Sequence, residues 1–315
     1  MKLFTSKALL LFLMLSMLST PLFSMGETER EDQPEITVGS KIDTEGALLG
    51  NMIVLLLEDH GFRVTDKTQT GSTPIVRSAI IAGEIDIYPE YTGNAYYFFS
   101  GESEADLWKD FQAGYEKAAE LDLAANNIVW LTPAPANNTW AISIRGDLAE
   151  AESLETLDDL ATYVNAGRHF KLAASEEFVS SEAALPSFEK GYGFSLDEDQ
   201  LLVFAGGNTT LTEQAAASGQ ESVNAAMAYG TDGQLAALGL KVLTDTKHIQ
   251  PVYAPSPIIR SEVLEQSPEI AEILEPVFKS LDLETLQTLN SRIAVEGQSP
   301  RMVAETYLKE MGFLK

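Results

Sequence analysis

Runs rich in β-branched and aromatic residues alternate along this chain with stretches whose apolar positions recur at intervals of three and four. Leu48, Leu49, Met52, Ile53, Leu56 and Leu57 form one such stripe and predict a helix over 44–60, with Gly61 as its stop. Strands are expected at 35–39, 62–68, 85–88 and 128–131, with helices at 73–82 and 104–121 between them. That β-α-β order predicts a mostly parallel sheet with helices on both faces. A breaker-rich stretch at 132–138 interrupts the pattern. A second unit follows, with strands at 140–144, 170–174, 201–204, 222–227 and 241–243. A second break at 249–257 precedes three helices, at 268–280, 283–295 and 299–311. Phe111 and Phe278 fall on helix stripes and read as core. Two α/β units joined by two crossings describe a hinged clamshell with a cleft between its lobes.

The strand at 85–88 ends in Tyr88-Pro89-Glu90-Tyr91-Thr92-Gly93-Asn94. Proline lacks a backbone N–H, so the strand is expected to stop there or to lie at an edge. Its tyrosines then leave the sheet at the end where open α/β folds hold ligands.

Composition narrows the setting. Lys2 and Lys7 flank the start of an apolar run from Ala8 to Leu18, and small residues follow at Ser24 and Gly26. This is the pattern of a secretory signal peptide over residues 1–24, cleaved after Ser24 or Gly26, followed by an acidic disordered leader at 25–34. The chain has no cysteine, which excludes a lipoprotein anchor, disulfides and thiol chemistry. The expected product is soluble and periplasmic. A net charge of −26 argues against nucleic acid or an anionic membrane as partner.

Enzyme chemistry finds little support. His60, His169 and His248 lie far apart with no metal-ligand spacing, and His60 reads as a helix-terminal residue. No nucleophile elbow, phosphate loop or dinucleotide fingerprint occurs in the right context. No metal or cofactor is implied. Gly39-Ser40-Lys41-Ile42-Asp43-Thr44-Glu45 has two readings. Asp43 or Thr44 can cap the helix beside a surface lysine, or Lys41 and the free helix N–H groups can seat an anion. Tyr91, Trp140, Tyr229 and Tyr253 all fall at strand ends or crossings, where a clamshell cleft would lie. Tyr96, Tyr97, Phe98 and Phe99 read mostly as core packing. A quaternary ammonium offers no hydrogen bond, so a box of aromatic faces is its natural receptor.

With these residues in view, the chain resembles the glycine betaine/choline/proline betaine-binding proteins of ABC osmoprotectant importers, from about Ile36 to Leu314. The resemblance is carried by Ile36-Thr37-Val38-Gly39-Ser40-Lys41, Gly71-Ser72-Thr73-Pro74 and Gly83-Glu84-Ile85-Asp86-Ile87-Tyr88-Pro89-Glu90-Tyr91-Thr92-Gly93. It implies a type II periplasmic-binding-protein clamshell, with lobe 1 over 35–138 plus 252–315 and lobe 2 over 139–251. Tyr91, Tyr229 and Tyr253 match cage tyrosines, Trp140 stands where many members have tyrosine, and Lys41 matches a lysine that meets the ligand carboxylate. Asn94 stands in place of a common ligand-binding threonine, and Asn138 where an aspartate can occur. No arginine lies between Arg168 and Arg260, although members with a carboxylate-binding arginine carry it in the loop aligned with Ser180-Ser181. The cage is therefore expected intact and the carboxylate end weakened, which points to a quaternary ammonium ligand broadly, with reduced affinity for glycine betaine or a preference for another ligand such as choline. The implied partners are a small quaternary ammonium ligand and a membrane ABC permease, with the protein itself a monomer. A same-fold receptor for another cation or amino acid, a sensor-linked receptor domain and an exported enzyme on this scaffold stand as alternatives.

Overall fold

The computed structural model describes residues 35–205 and 209–314. The expected signal peptide and acidic leader lie outside the described residues. The first part of the chain forms β1 (Glu35–Lys41), α1 (Thr44–Asp59), β2 (Arg63–Gly71), α2 (Thr73–Ile81), β3 (Ile87–Tyr91), α3 (Ala95–Phe98), α4 (Phe111–Asn126) and β4 (Ile128–Trp130). Next come β5 (Trp140–Arg145), α5 (Gly146–Glu152), α6 (Leu157–Asn165), β6 (Leu172–Ser175), α7 (Glu176–Ser180), α8 (Leu185–Tyr192) and β7 (Leu201–Phe204). After α9 (Thr209–Ser218), β8 (Ala225–Tyr229) and β9 (Leu240–Val242), the chain returns as β10 (Pro255–Arg260). It ends in α10 (Ser261–Gln266), α11 (Glu269–Ser280), α12 (Leu283–Ala294) and α13 (Pro300–Glu310).

Two five-stranded sheets result, ordered β2-β1-β3-β10-β4 and β7-β6-β8-β5-β9. Each is mostly parallel in strand direction, as expected, with four strands pointing one way and a single opposed strand. β1 runs parallel to β2 and β3, and β6 to β7 and β8. β10 runs against β3 and β4, and β5 against β8 and β9. These two opposed strands are the ones that follow the two connections between the sheets. Apolar periodicity reports which face of a strand is buried and carries no direction. Every residue of α1 from Glu45 to Leu57 is buried, because the helix is covered on all sides. Leu48, Met52 and Ile53 share one core cluster with Phe278, Leu286, Val303 and Leu308, so the C-terminal helices pack back onto the first sheet's own helix.

Pro89 does not end its strand. β3 continues to Tyr91 in the middle of the sheet order, with Pro89 opposite Pro257 of β10. The Pro257 carbonyl accepts from Leu131 N, so the polar backbone of this residue faces away from β3. In such a non-hydrogen-bonded pair neither residue owes the other an N–H. On the far side of β3 the ladder to β1 holds only the pair Val38–Ile87, so Pro89 breaks no bond there either. The same alternation places β10 inside the stretch at 249–257 that was expected to be a break. The helix expected at 104–121 is also divided: a 3-10 turn covers Ala105–Lys109, and Asp110 then caps α4 by accepting from Ala113 N at 2.8 Å.

Two buried carboxylates join these elements. Glu90 on β3 is inaccessible to solvent and accepts from Lys41 Nζ at 2.6 Å, Asn94 Nδ2 at 2.7 Å, the Tyr91 N–H at 2.8 Å and the Tyr88 hydroxyl at 2.6 Å. Tyr88 therefore lies in the core beneath β3, and of the two tyrosines only Tyr91 turns toward the second sheet's cluster. Glu45, in the first turn of α1, accepts from the Tyr91 hydroxyl at 3.1 Å, Asn138 Nδ2 at 2.9 Å and Asn290 Nδ2 at 2.8 Å. One carboxylate thus ties a strand end, the first inter-sheet connection and α12.

Both ties have measurable consequences. Lys41→Met leaves Glu90 buried without its cation and is expected to cost about 3–5 kcal/mol. Adding Glu90→Gln in the same chain should recover part of that loss in urea titration; additive losses would show that the two side chains are not coupled. Burial raises the Glu45 carboxyl from 4.5 to about 7, against the opposing hydrogen bonds of Asn290 and Tyr91. The folded protein then holds this proton where the unfolded chain has released it. Its contribution is complete below about pH 4.5 and falls as pH rises toward 7, by roughly 3 kcal/mol. Wild-type stability relative to Glu45→Gln should decline by that amount between pH 4.5 and 7.5. Parallel stability curves for the two proteins would contradict this.

Candidate ligand-binding site

A cavity of about 30 Å³ lies where β1, β3 and β8 end and β5 begins. The seven residues expected at a ligand site, Lys41, Tyr91, Asn94, Asn138, Trp140, Tyr229 and Tyr253, all line it. Sequence reasoning did not assign the other lining residues to the site: Ile42, Asp43, Ser72, Thr73 and Glu177. Of these, Ser72 and Thr73 had a local signal, a strand-to-helix turn before Pro74. Glu177 had none, because acidic pairs are common on the surface of so acidic a chain.

Strand register sets the aromatic walls. Trp140 opens β5 directly opposite Tyr229, the last residue of β8, which runs two residues past the strand end expected at 227. Directly opposed side chains are the closest neighbours across two strands. Their rings stand 5.0 Å apart at 49°, and Phe178 backs the indole at 5.2 Å. Tyr229 is fixed from behind, where its N–H donates to Asp232 Oδ2 at 2.6 Å. Beside Asp232 lies buried Glu213, which desolvation and the Asp232 charge hold in its protonated form.

The two connections hold the opposite wall. The Tyr253 N–H donates to Asn137 Oδ1 at 2.8 Å, and the Asn138 N–H donates to the Tyr253 carbonyl at 2.9 Å. Thr92 donates its N–H to Ala254 O and its hydroxyl to Val252 O. Gly93 completes the fit: a Cβ there would stand 2.7 Å from the Tyr253 ring, so any larger residue would push that ring away. The aromatic run after Tyr91 is half-buried, and Tyr97 reaches the Ala183 carbonyl of the second half at 3.4 Å.

Charge in the site departs from the anion-seat reading. Asp43 itself caps α1, accepting from Gly46 N at 2.7 Å, and Lys41 Nζ is bound to Glu90 while lying 4.5 Å from the Tyr91 ring centroid. Both halves of that seat are already used by the protein. Asp43 and Glu177 form no ion pair among the described residues. Burial raises both carboxyls above their ordinary range; Lys41 opposes the rise at each, and the Thr73 hydroxyl also opposes it at Glu177. Burial likewise keeps Tyr91, Tyr229 and Tyr253 as neutral phenols. The cavity therefore combines electron-rich ring faces with half-buried acidic groups, a combination that attracts a cation. His60 stands apart, its Nδ1 2.8 Å from Leu56 O at the end of α1. Among the described residues no group of three His, Cys, Asp or Glu could hold a metal ion, and no helix is long and apolar enough to cross a membrane.

Comparison with known proteins agrees with this architecture. Residues 34–310 match the family described as the substrate binding domain of ABC-type glycine betaine transport systems. The glycine betaine-binding protein YehZ of Escherichia coli is 56% identical over 280 residues, covering 89% of this chain and 92% of its own. A glycine-betaine-binding protein of Pseudomonas aeruginosa is 31% identical, covering 92% of this chain and 91% of its own. A crystal structure titled glycine betaine/carnitine/choline ABC transporter superposes with a TM-score of 0.70 at 25% identity, covering 89% of this chain and all of that one. The chain belongs to the family of substrate-binding domains of ABC-type glycine betaine transport systems.

Proposed function

We propose that this protein captures a quaternary ammonium compound in the cavity and delivers it to a membrane ABC permease. Glycine betaine and choline are the reference ligands. The observation that carries this reading is the convergence of Tyr91, Trp140, Tyr229 and Tyr253 with two unpaired acidic groups on one cavity. Ring faces attract a trimethylammonium group that no hydrogen bond can hold. The relatives' names point to the same ligand class. The ligand leaves unchanged; binding, and not bond chemistry, is the function.

The two lobes are taken as 35–138 plus 252–315 and 139–251, with the connections at 131–139 and 243–254 acting as the hinge. A cavity walled by both lobes must open for a trimethylammonium group to enter between Tyr91, Trp140, Tyr229 and Tyr253. Export by a signal peptide over 1–24, a periplasmic location and a monomeric state complete the proposal.

Calorimetry against glycine betaine, choline, carnitine and proline betaine tests it. Saturable binding of at least one is expected, and silence from all four at millimolar concentration would refute the reading. Trp140→Leu, which restores apolar area without a ring face, should weaken binding by more than about 1 kcal/mol. A thermal melt of the same variant separates lost affinity from lost folding. Binding equal to wild type would remove Trp140 from the cage.

A further inference from the structure

Outside the cavity, the two halves of the molecule meet again where the chain leaves β8. After Tyr229 it turns through Gly230-Thr231-Asp232-Gly233 and lands on α12. That helix is anchored in the first half, with Leu286 and Leu289 in the core that surrounds α1. Gln287 Nε2 donates to the Gly230 carbonyl at 3.0 Å. Asn290 Nδ2 donates to the Thr231 carbonyl at 3.1 Å and to Glu45 at 2.8 Å. Gly233 lies directly on the helix main chain: a Cβ there would stand 1.9 Å from the Gln287 carbonyl oxygen and 2.8 Å from Ser291 Cβ. Its φ is not in the left-handed region, so only the helix excludes a side chain at this position. The same turn is tied to the aromatic walls. Asp232 accepts from the Tyr229 N–H at 2.6 Å and, with its other oxygen, from the Thr209 hydroxyl at 3.1 Å. What holds the turn on α12 therefore also holds Tyr229 at the cavity, although Gly233, Gln287 and Asn290 do not line it.

We propose that this contact is a closure latch, in which Gly233, Gln287 and Asn290 act as positioning residues that set ligand affinity by stabilising the closed arrangement of the lobes. The inference rests on the two-lobe binding reading above and adds a determinant of affinity that the ligand never touches. The turn and α12 belong to opposite lobes of that division, so opening about the connections at 131–139 and 243–254 separates them and breaks both interlobe hydrogen bonds. At Gly233 the opposing atom is helix main chain, which cannot swing aside as a long side chain would. Observed affinity contains the free energy of closing, so a loss at the latch weakens every ligand by the same factor. A change in the cage has the opposite signature, because the cage meets each ligand differently.

Gly233→Ala places a methyl group against α12, and Gln287→Met removes one hydrogen bond with little change in volume. Calorimetry with glycine betaine and choline should show about tenfold weaker binding in Gly233→Ala and about threefold weaker binding in Gln287→Met, with the ratio between the two ligands unchanged. Glu284→Gln, in the same groove but offering the turn no hydrogen bond, should bind as the wild type does. The chain has no cysteine, so dyes on cysteines introduced at exposed Glu120 of α4 and Thr162 of α6 report lobe separation by single-molecule fluorescence transfer. Without ligand, the closed population should shrink in Gly233→Ala. Wild-type affinity, an unchanged closed population or unequal losses for the two ligands would each overturn the latch. Should Gly233→Ala fail to fold, Gln287→Met, half-buried on α12, carries the same comparisons. If neither ligand binds the wild type, the ligand reading fails by itself, and the fluorescence measurement still decides the latch.

Discussion

Burying a carboxylate is expensive unless donors surround it, and at Glu90 four donors from three segments do so. Much of the site's geometry follows from that demand. Lys41 is drawn inward from the end of β1 and laid near the Tyr91 ring, Asn94 is turned back toward its own strand, and Tyr88 is kept in the core. The lysine's charge is therefore matched inside the protein before a ligand arrives. A cavity with this inventory offers a cation ring faces and acidic groups.

Glu45 performs a related task at larger scale. Its hydrogen bonds reach Tyr91, the first connection and α12, so the cage wall, the hinge region and the C-terminal helices share one buried group. Glu177 comes from the second sheet's half of the chain and Asp43 from the first, and they meet at the same cavity. Like charges on opposing walls resist closure, and a ligand cation between them relieves that repulsion.

Much of this was legible in the sequence for identifiable reasons. The stripe from Leu48 to Leu57 marked α1, and breakers at 132–138 marked the first connection. Aromatics at strand ends marked residues that converge on one cavity, because core rings belong mid-strand or on helix stripes. Other features were hidden because they depend on partners distant in sequence. Pro89 forecasts a strand end until Pro257 is known to lie opposite it, and β10 looks like a break for the same reason. Lys41 looks like a free cation until Glu90 is seen 2.6 Å away. Glu177 has no distinguishing neighbours along the chain, and only the fold brings it to the cavity.

The most direct measurement is a crystal structure of the protein grown with choline. The account predicts the quaternary nitrogen among the faces of Tyr91, Trp140, Tyr229 and Tyr253. Choline bound elsewhere, or seated with its nitrogen away from those four rings, would contradict it.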